Sequence, residues 1–167
     1  ADLKMDGTKA KLDGTKYDLA NTNTVYVDGV KQSDNIKTWL TTNGEGNATY
    51  GKGSEVELLA VDGTSDYSIL KVTTFEVKEI TYVGSDTAGT KYSDDDYVIS
   101  DGLKKGDYAL ISKGSNYADS KGRIEKATVV EGKVTSTKGS DEVMIDGTWY
   151  TMNTGVTAPK LNASAKL

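Results

Sequence analysis

The densest group of side chains with chemistry to offer is Ser93-Asp94-Asp95-Asp96, followed closely by Asp101. Calcium binds about six to eight oxygens drawn from carboxylates and carbonyls. Asp94, Asp95, Asp96 and Asp101 are therefore the candidate metal ligands, and calcium is the one cofactor the sequence leaves open. The spacing is not that of an EF-hand, because no Gly and no bidentate Glu fall where that loop needs them. A solvated acidic turn is the competing and preferred assignment.

A second set is aromatic. A flat ring buries the apolar face of a sugar, which makes Trp39, Trp149 and Tyr150 candidate ligand-stacking residues, with Tyr82 and Tyr92 behind them. With a single Phe, Phe75, the chain has few large hydrophobes. The same rings are therefore expected to fill small cores.

Catalytic chemistry is poorly served. The chain has no Cys and no His, which removes thiol nucleophiles, disulfides, Cys/His zinc sites and the commonest general base. A Ser-His-Asp triad is impossible. Among 25 acidic residues, carboxylate pairs are inevitable and carry no information about glycoside hydrolysis. The run Gly44–Ser54 ends in Gly-Lys-Gly-Ser, but Gly53 interrupts the phosphate-loop pattern, which needs Lys followed directly by Ser or Thr. It is expected to be a loop, and no enzyme is expected. Asn47-Ala48-Thr49 and Asn162-Ala163-Ser164 match the glycosylation pattern by chance.

The net charge is −5, with acids and bases interspersed. Without a basic face to neutralise phosphates, nucleic acid is not an expected partner. No stretch approaches the roughly 18 apolar residues of a membrane span, so no membrane insertion is expected.

The elements that must position these residues read as strands. Eighteen Gly, ten Tyr, one Pro and frequent Thr and Val suit pleated, half-buried strands joined by tight turns. Three copies of one phrase organise the chain: Asp13-Gly14-Thr15-Lys16-Tyr17, Gly89-Thr90-Lys91-Tyr92 and Asp146-Gly147-Thr148-Trp149-Tyr150. Each reads as a turn that needs positive φ and then starts a strand. After the first two copies the blocks recur in the same order. Thr24–Gly29 corresponds to Asp96–Gly102, Lys52-Gly53-Ser54 to Lys105-Gly106-Asp107, and the ribbon Ile69–Ile80 to Ile124–Val134. A preserved order of blocks argues for duplication.

The expected fold is all-β: two tandem small β-barrel or sandwich modules of SH3 or OB size, with one short helix inserted in the first. Residues 1–13 form a hairpin, continuing a preceding unit or packing on the first module. Residues 14–88 and 89–152 are the modules, and 153–167 is an extended or disordered tail. The helix spans Asp34–Leu40, capped by Ser33 or Asp34. Val56, Leu58, Leu110, Ile124, Val129 and Val143 are expected to point inward.

Three phrases carry a resemblance: Tyr26–Gly29, Asp101–Tyr108 and Ile124–Thr135. Over residues 13–152 the chain resembles the repeating β modules of S-layer-type cell-surface proteins of Firmicutes, which carry S-layer homology domains elsewhere. The anchoring pattern of those domains is not seen in this chain. The resemblance implies an extracellular, bacterial cell-surface location and a structural or self-assembly role. Its partners would be like subunits or neighbouring domains. It transfers no catalytic residue. The alternative is a carbohydrate-binding or adhesin domain for cell-wall or host glycans.

Overall fold

The computed structural model describes residues 2–43, 53–84, 87–88, 92–113, 121–153 and 156–167. The loop run at Gly44, the sequon at Asn47 and the Gly89-Thr90-Lys91 turn lie outside these residues. By packing, the chain divides into two compact units, residues 1–126 and 127–167. It is mostly strand with one short helix, hence all-β.

The first unit opens with β1 (Leu3–Asp6), β2 (Lys9–Leu12) and β3 (Thr15–Tyr17), an antiparallel meander. Between β2 and β3, Asp13 and Gly14 have φ of 47° and 89°. Two successive positive φ values match the right-handed twist of the hairpin arms, and Asp and Gly tolerate them best. Then come β4 (Leu19–Val27), β5 (Val30–Lys31), α1 (Ile36–Asn43), β6 (Ser54–Ala60) and β7 (Tyr67–Thr74). The strands form a sheet in the order β5-β4-β7-β6, with β4 parallel to β7. The helix is capped by Asn35, whose Oδ1 accepts the Thr38 N–H at 2.8 Å, one or two residues later than expected. A first core gathers Leu3, Ala10, Val25, Leu70 and Val72 with Ile36, Trp39 and Leu40 of α1.

The ribbon expected across Ile69–Ile80 breaks at Phe75 and serves two sheets. Beyond the break, β8 (Glu76–Glu79) leads to β9 (Thr87–Ala88), β10 (Tyr92–Ser93), β11 (Tyr97–Ile99), β12 (Tyr108–Ser112) and β13 (Gly122–Lys126). Here the order is β11-β13-β12-β8, with β11 parallel to β13. A second core gathers Ile80, Ala88, Leu103, Ala109, Ile111 and Ile124.

The second unit holds β14 (Glu131–Lys138), β15 (Glu142–Ile145), β16 (Thr148–Thr151) and β17 (Ser164–Lys166), ordered β16-β15-β14-β17. Its core is Val134, Val143, Ile145 and Met152, with Val130, Tyr150, Ala158, Ala165 and Leu167 packed against it.

Several expectations need correcting. The strands form several small open sheets around three separate cores among the described residues, so the chain does not form two barrels or sandwiches. Among the described residues the buried side chains form three clusters. Within the expected tail, Ser164–Lys166 form β17, which pairs with β14. In β12, Ala109 and Ile111 are buried and Leu110 is only half-buried, a one-residue shift that reverses the inward parity. Val129 is 37% exposed. Val56 and Leu58 are half-buried against the first core, and Ile124 and Val143 are fully buried.

The duplication extends to register and hydrogen bonding. Val72 lies between Val27 and Val56, and Ile124 lies between Ile99 and Ile111. Asp28 N–H donates to the Val72 carbonyl and Ser100 N–H to that of Ile124, both at 2.9 Å. Asp28 Oδ1 accepts from Thr74 N–H, as Ser100 Oγ does from Lys126 N–H. The three Tyr phrases are likewise equivalent: Tyr17 pairs with Ala10, Tyr92 with Ala88 and Tyr150 with Val143, each partner fully buried.

Candidate functional site

The expected metal ligands occupy two exposed turns. Asp94, Asp95 and Asp96 link β10 to β11, and Asp101 sits with Gly102 beyond β11. The Asp96 carbonyl accepts from Gly122 N–H at 2.9 Å, and the Asp94 carbonyl from Lys121 Nζ. Among the described residues, no three acidic side chains gather in a metal-holding group.

The aromatic candidates are dispersed. Trp39 is 6% exposed in the first core, so its ring is spent on packing and offers no platform for a sugar. Trp149 is 43% exposed on β16, opposite Met144. Its neighbour Tyr150 is half-buried against the third core. Tyr82 is exposed, whereas Tyr92 packs edge-on against Tyr97 at 5.1 Å. No two of the three main candidates share a surface: Trp39 lies in one core, and Trp149 and Tyr150 alternate across β16.

A concave feature emerges that sequence reasoning missed. A cleft of about 460 Å³ in the first unit lies over the outward face of β7. Ile69, Leu59 and Tyr26 supply apolar lining. Lys71, Lys113, Lys121 and Arg123 line it as well. Alternation along β7 turns Ile69, Lys71 and Thr73 away from the Leu70 and Val72 core face. The last two cations flank the start of β13, and Lys113 follows β12.

Four cations face one carboxylate, Asp28, whose two oxygens are already bonded to Thr74 N–H and Oγ1. The carboxylates that pair with the cations stand outside the lining. Glu57 binds Lys71 at 3.0 Å, and Glu55 and Glu125 bind Arg123. Arg123 also lies 5.3 Å from the Phe75 ring centre, which holds the guanidinium in place. Among the described residues, Asp28 is the one carboxylate in the lining. No sequence signal marked the cleft, since the lining residues of β4, β6 and β7 meet Ser112, Lys113, Lys121 and Arg123 only through folding.

Asp107 shows how turns are fixed electrostatically. Its carboxylate accepts from Lys104 N–H at 2.9 Å and pairs with Lys126 at 3.1 Å. These two contacts, the backbone bond first, hold its pKa below the ordinary 3.8. A depressed folded pKa stabilises the fold above the unfolded value, and that contribution is lost as pH falls through the folded one. Asp107→Asn is therefore expected to lower stability at neutral pH and to flatten the loss of stability below about pH 4. Denaturant melts between pH 2 and 7 check this, and an unchanged acid limb would refute it.

Among the described residues, no helix is long and apolar enough to cross a membrane. No known family model, curated protein or solved structure matches the chain.

Proposed function

We propose that this chain is a non-catalytic structural module of a bacterial cell-surface assembly, S-layer-like or filamentous, built from β units in series. One observation carries the reading: the same strand blocks recur with the same register and the same hydrogen bonds. A chain that repeats its scaffold and varies its loops invests in length and stiffness, as repeat proteins do. The resemblance to S-layer-type modules and the lack of His and Cys agree with this.

A second reading, a carbohydrate-binding domain, has one observation in its favour: the basic cleft with apolar lining. Its size is within the range of small-ligand sites, and its charge selects acidic over neutral sugars.

Pulling the full chain end to end in a force spectrometer, together with calorimetric titration of oligogalacturonate, separates the two. The structural reading expects discrete unfolding steps with length gains near three to one, as 126 and 41 residues dictate, and no saturable heat. Saturable binding of oligogalacturonate, lost in Lys113→Glu/Lys121→Glu with the fold kept, would replace it with the second reading.

A further inference from the structure

The recurrence can be followed to the outer edges of the sheets, where one block lacks a strand that the others have. In the second block, the outer edge of β12 is covered by β8, with Tyr108 opposite Glu79, Ala109 opposite Lys78 and Ile111 opposite Glu76. In the second unit, β14 covers β17 in the same way, with Ser164 opposite Lys133 and Ala165 opposite Gly132. The turns that start these strands also match. Ile80 exchanges backbone bonds with Gly106 and Asp107, and Val134 with Asn162 and Ala163. Asp107 N–H bonds to the Lys104 carbonyl and Ala163 N–H to the Lys160 carbonyl, both at 3.0 Å. Gly106 and Asn162 both have positive φ. β17 is thus the start of a third copy of β12, and β14 is a second copy of β8.

The first block has the β12 counterpart, β6, because Val56 and Ile111 hold equivalent places opposite Val72 and Ile124, two residues away from the Gly53–Gly106 match read from the sequence. Yet β6 ends its sheet, and among the described residues no strand pairs with its outer side. Leu3, Ile80 and Val134 are the equivalent buried residues at which each meander begins. The covering strand arrives directly ahead of Ile80 in one copy and leads into Val134 in the other.

We infer that the outer edge of β6 is a strand-acceptor site. Its occupant is the ribbon of a preceding module of the same kind, entering antiparallel immediately ahead of Leu3. An exposed edge displays unpaired N–H and C=O groups that such a strand satisfies. The register follows from the other copies. Asp2 corresponds to Glu79, so Glu55 and Val56 would face the second and third positions ahead of Asp2. Val130 and Leu167 bond to each other in both directions. By equivalence, Val56 presents its N–H and C=O outward. Neighbouring modules would then share one continuous backbone ladder across their junction. The inference rests on the serial-module reading, but its test reads only the β6 edge and can fail while the force trace stands.

The test is to copy residues Val72–Val77 onto the front of Ala1 in the full chain. This β8-type segment avoids setting a carboxylate opposite Glu55, as a β14-type segment would with Glu131. The expected result is amide exchange slowed at least about tenfold at Ser54 and Val56, and a melting temperature higher by about 4 °C. The same extension carrying Glu76→Pro in the copied segment should do neither, since Pro cannot donate to the ladder. A second variant removes dependence on the melting curve. In this Cys-free chain, Glu55→Cys with the copied Val77→Cys places two thiols on a non-hydrogen-bonded pair, about 4.5 Å apart at Cα, within disulfide reach. An intramolecular cross-link is expected. Unchanged exchange at Val56 with no cross-link would overturn the inference. So would concentration-dependent protection of Val56 in the unextended chain, which would assign the edge to a second copy.

Discussion

Ile145→Ala is expected to unfold residues 127–167. Ile145 is fully buried in a cluster whose other buried members are Val134, Val143 and Met152. Its Cγ2 lies where a side chain on Gly132 would begin, 2.5 Å from an ideal Cβ position. Packing that close leaves little slack for collapse, so truncation should leave a real cavity. Such truncations cost about 2–5 kcal/mol. A 41-residue unit buries a small share of its surface and holds little stability in reserve. Backbone amide spectra should show collapsed dispersion for Val134, Val143 and Tyr150. Leu3, Val25 and Leu70, which belong to another cluster, should keep their dispersion. Trp149→Ala, on an exposed position of the same unit, is the control and should keep the fold. A folded Ile145→Ala with native exchange rates at Val134 would show that this cluster does not carry the unit.

Gly122→Ala is expected to cost about 3 kcal/mol by overpacking. Gly122 starts β13, where it pairs with Tyr97 of β11. A Cβ there would sit 2.5 Å from the Ser112 carbonyl oxygen and 2.5 Å from Tyr97 Cε1. The ring can swing away, but the carbonyl belongs to the backbone of the adjacent strand and cannot. Tyr97→Ala in the same chain should therefore fail to restore stability. Denaturant unfolding of the two single variants and the double variant reads the outcome. Full rescue by Tyr97→Ala would show that the ring, not the backbone, demands glycine at this position.

Local features were legible because they depend on neighbouring residues. Asp13-Gly14 and Asp146-Gly147 adopt the positive φ values their types tolerate. Each leads into a Tyr that pairs with a buried small residue. The short helix was readable from Ile36, Trp39 and Leu40, which share one face and are all buried. The order of blocks announced the duplication, and register and hydrogen bonds follow that order. Alternation was a weaker guide. In β12 a single-residue shift of parity buries Ala109 and Ile111 in place of Leu110.

Whatever needed two distant segments at once was decided by tertiary structure alone. Trp39 read as a core residue more readily than as a sugar platform, and the packing of α1 buries it in the first core. The basic cleft joins Lys71 to Arg123 across 52 positions, and neither has a local signature. Sheet closure was misjudged because pattern shows which face of a strand is buried, not which edge finds a partner. An edge partner is chosen by backbone groups that every residue carries alike, so the choice is made only when strands meet in space.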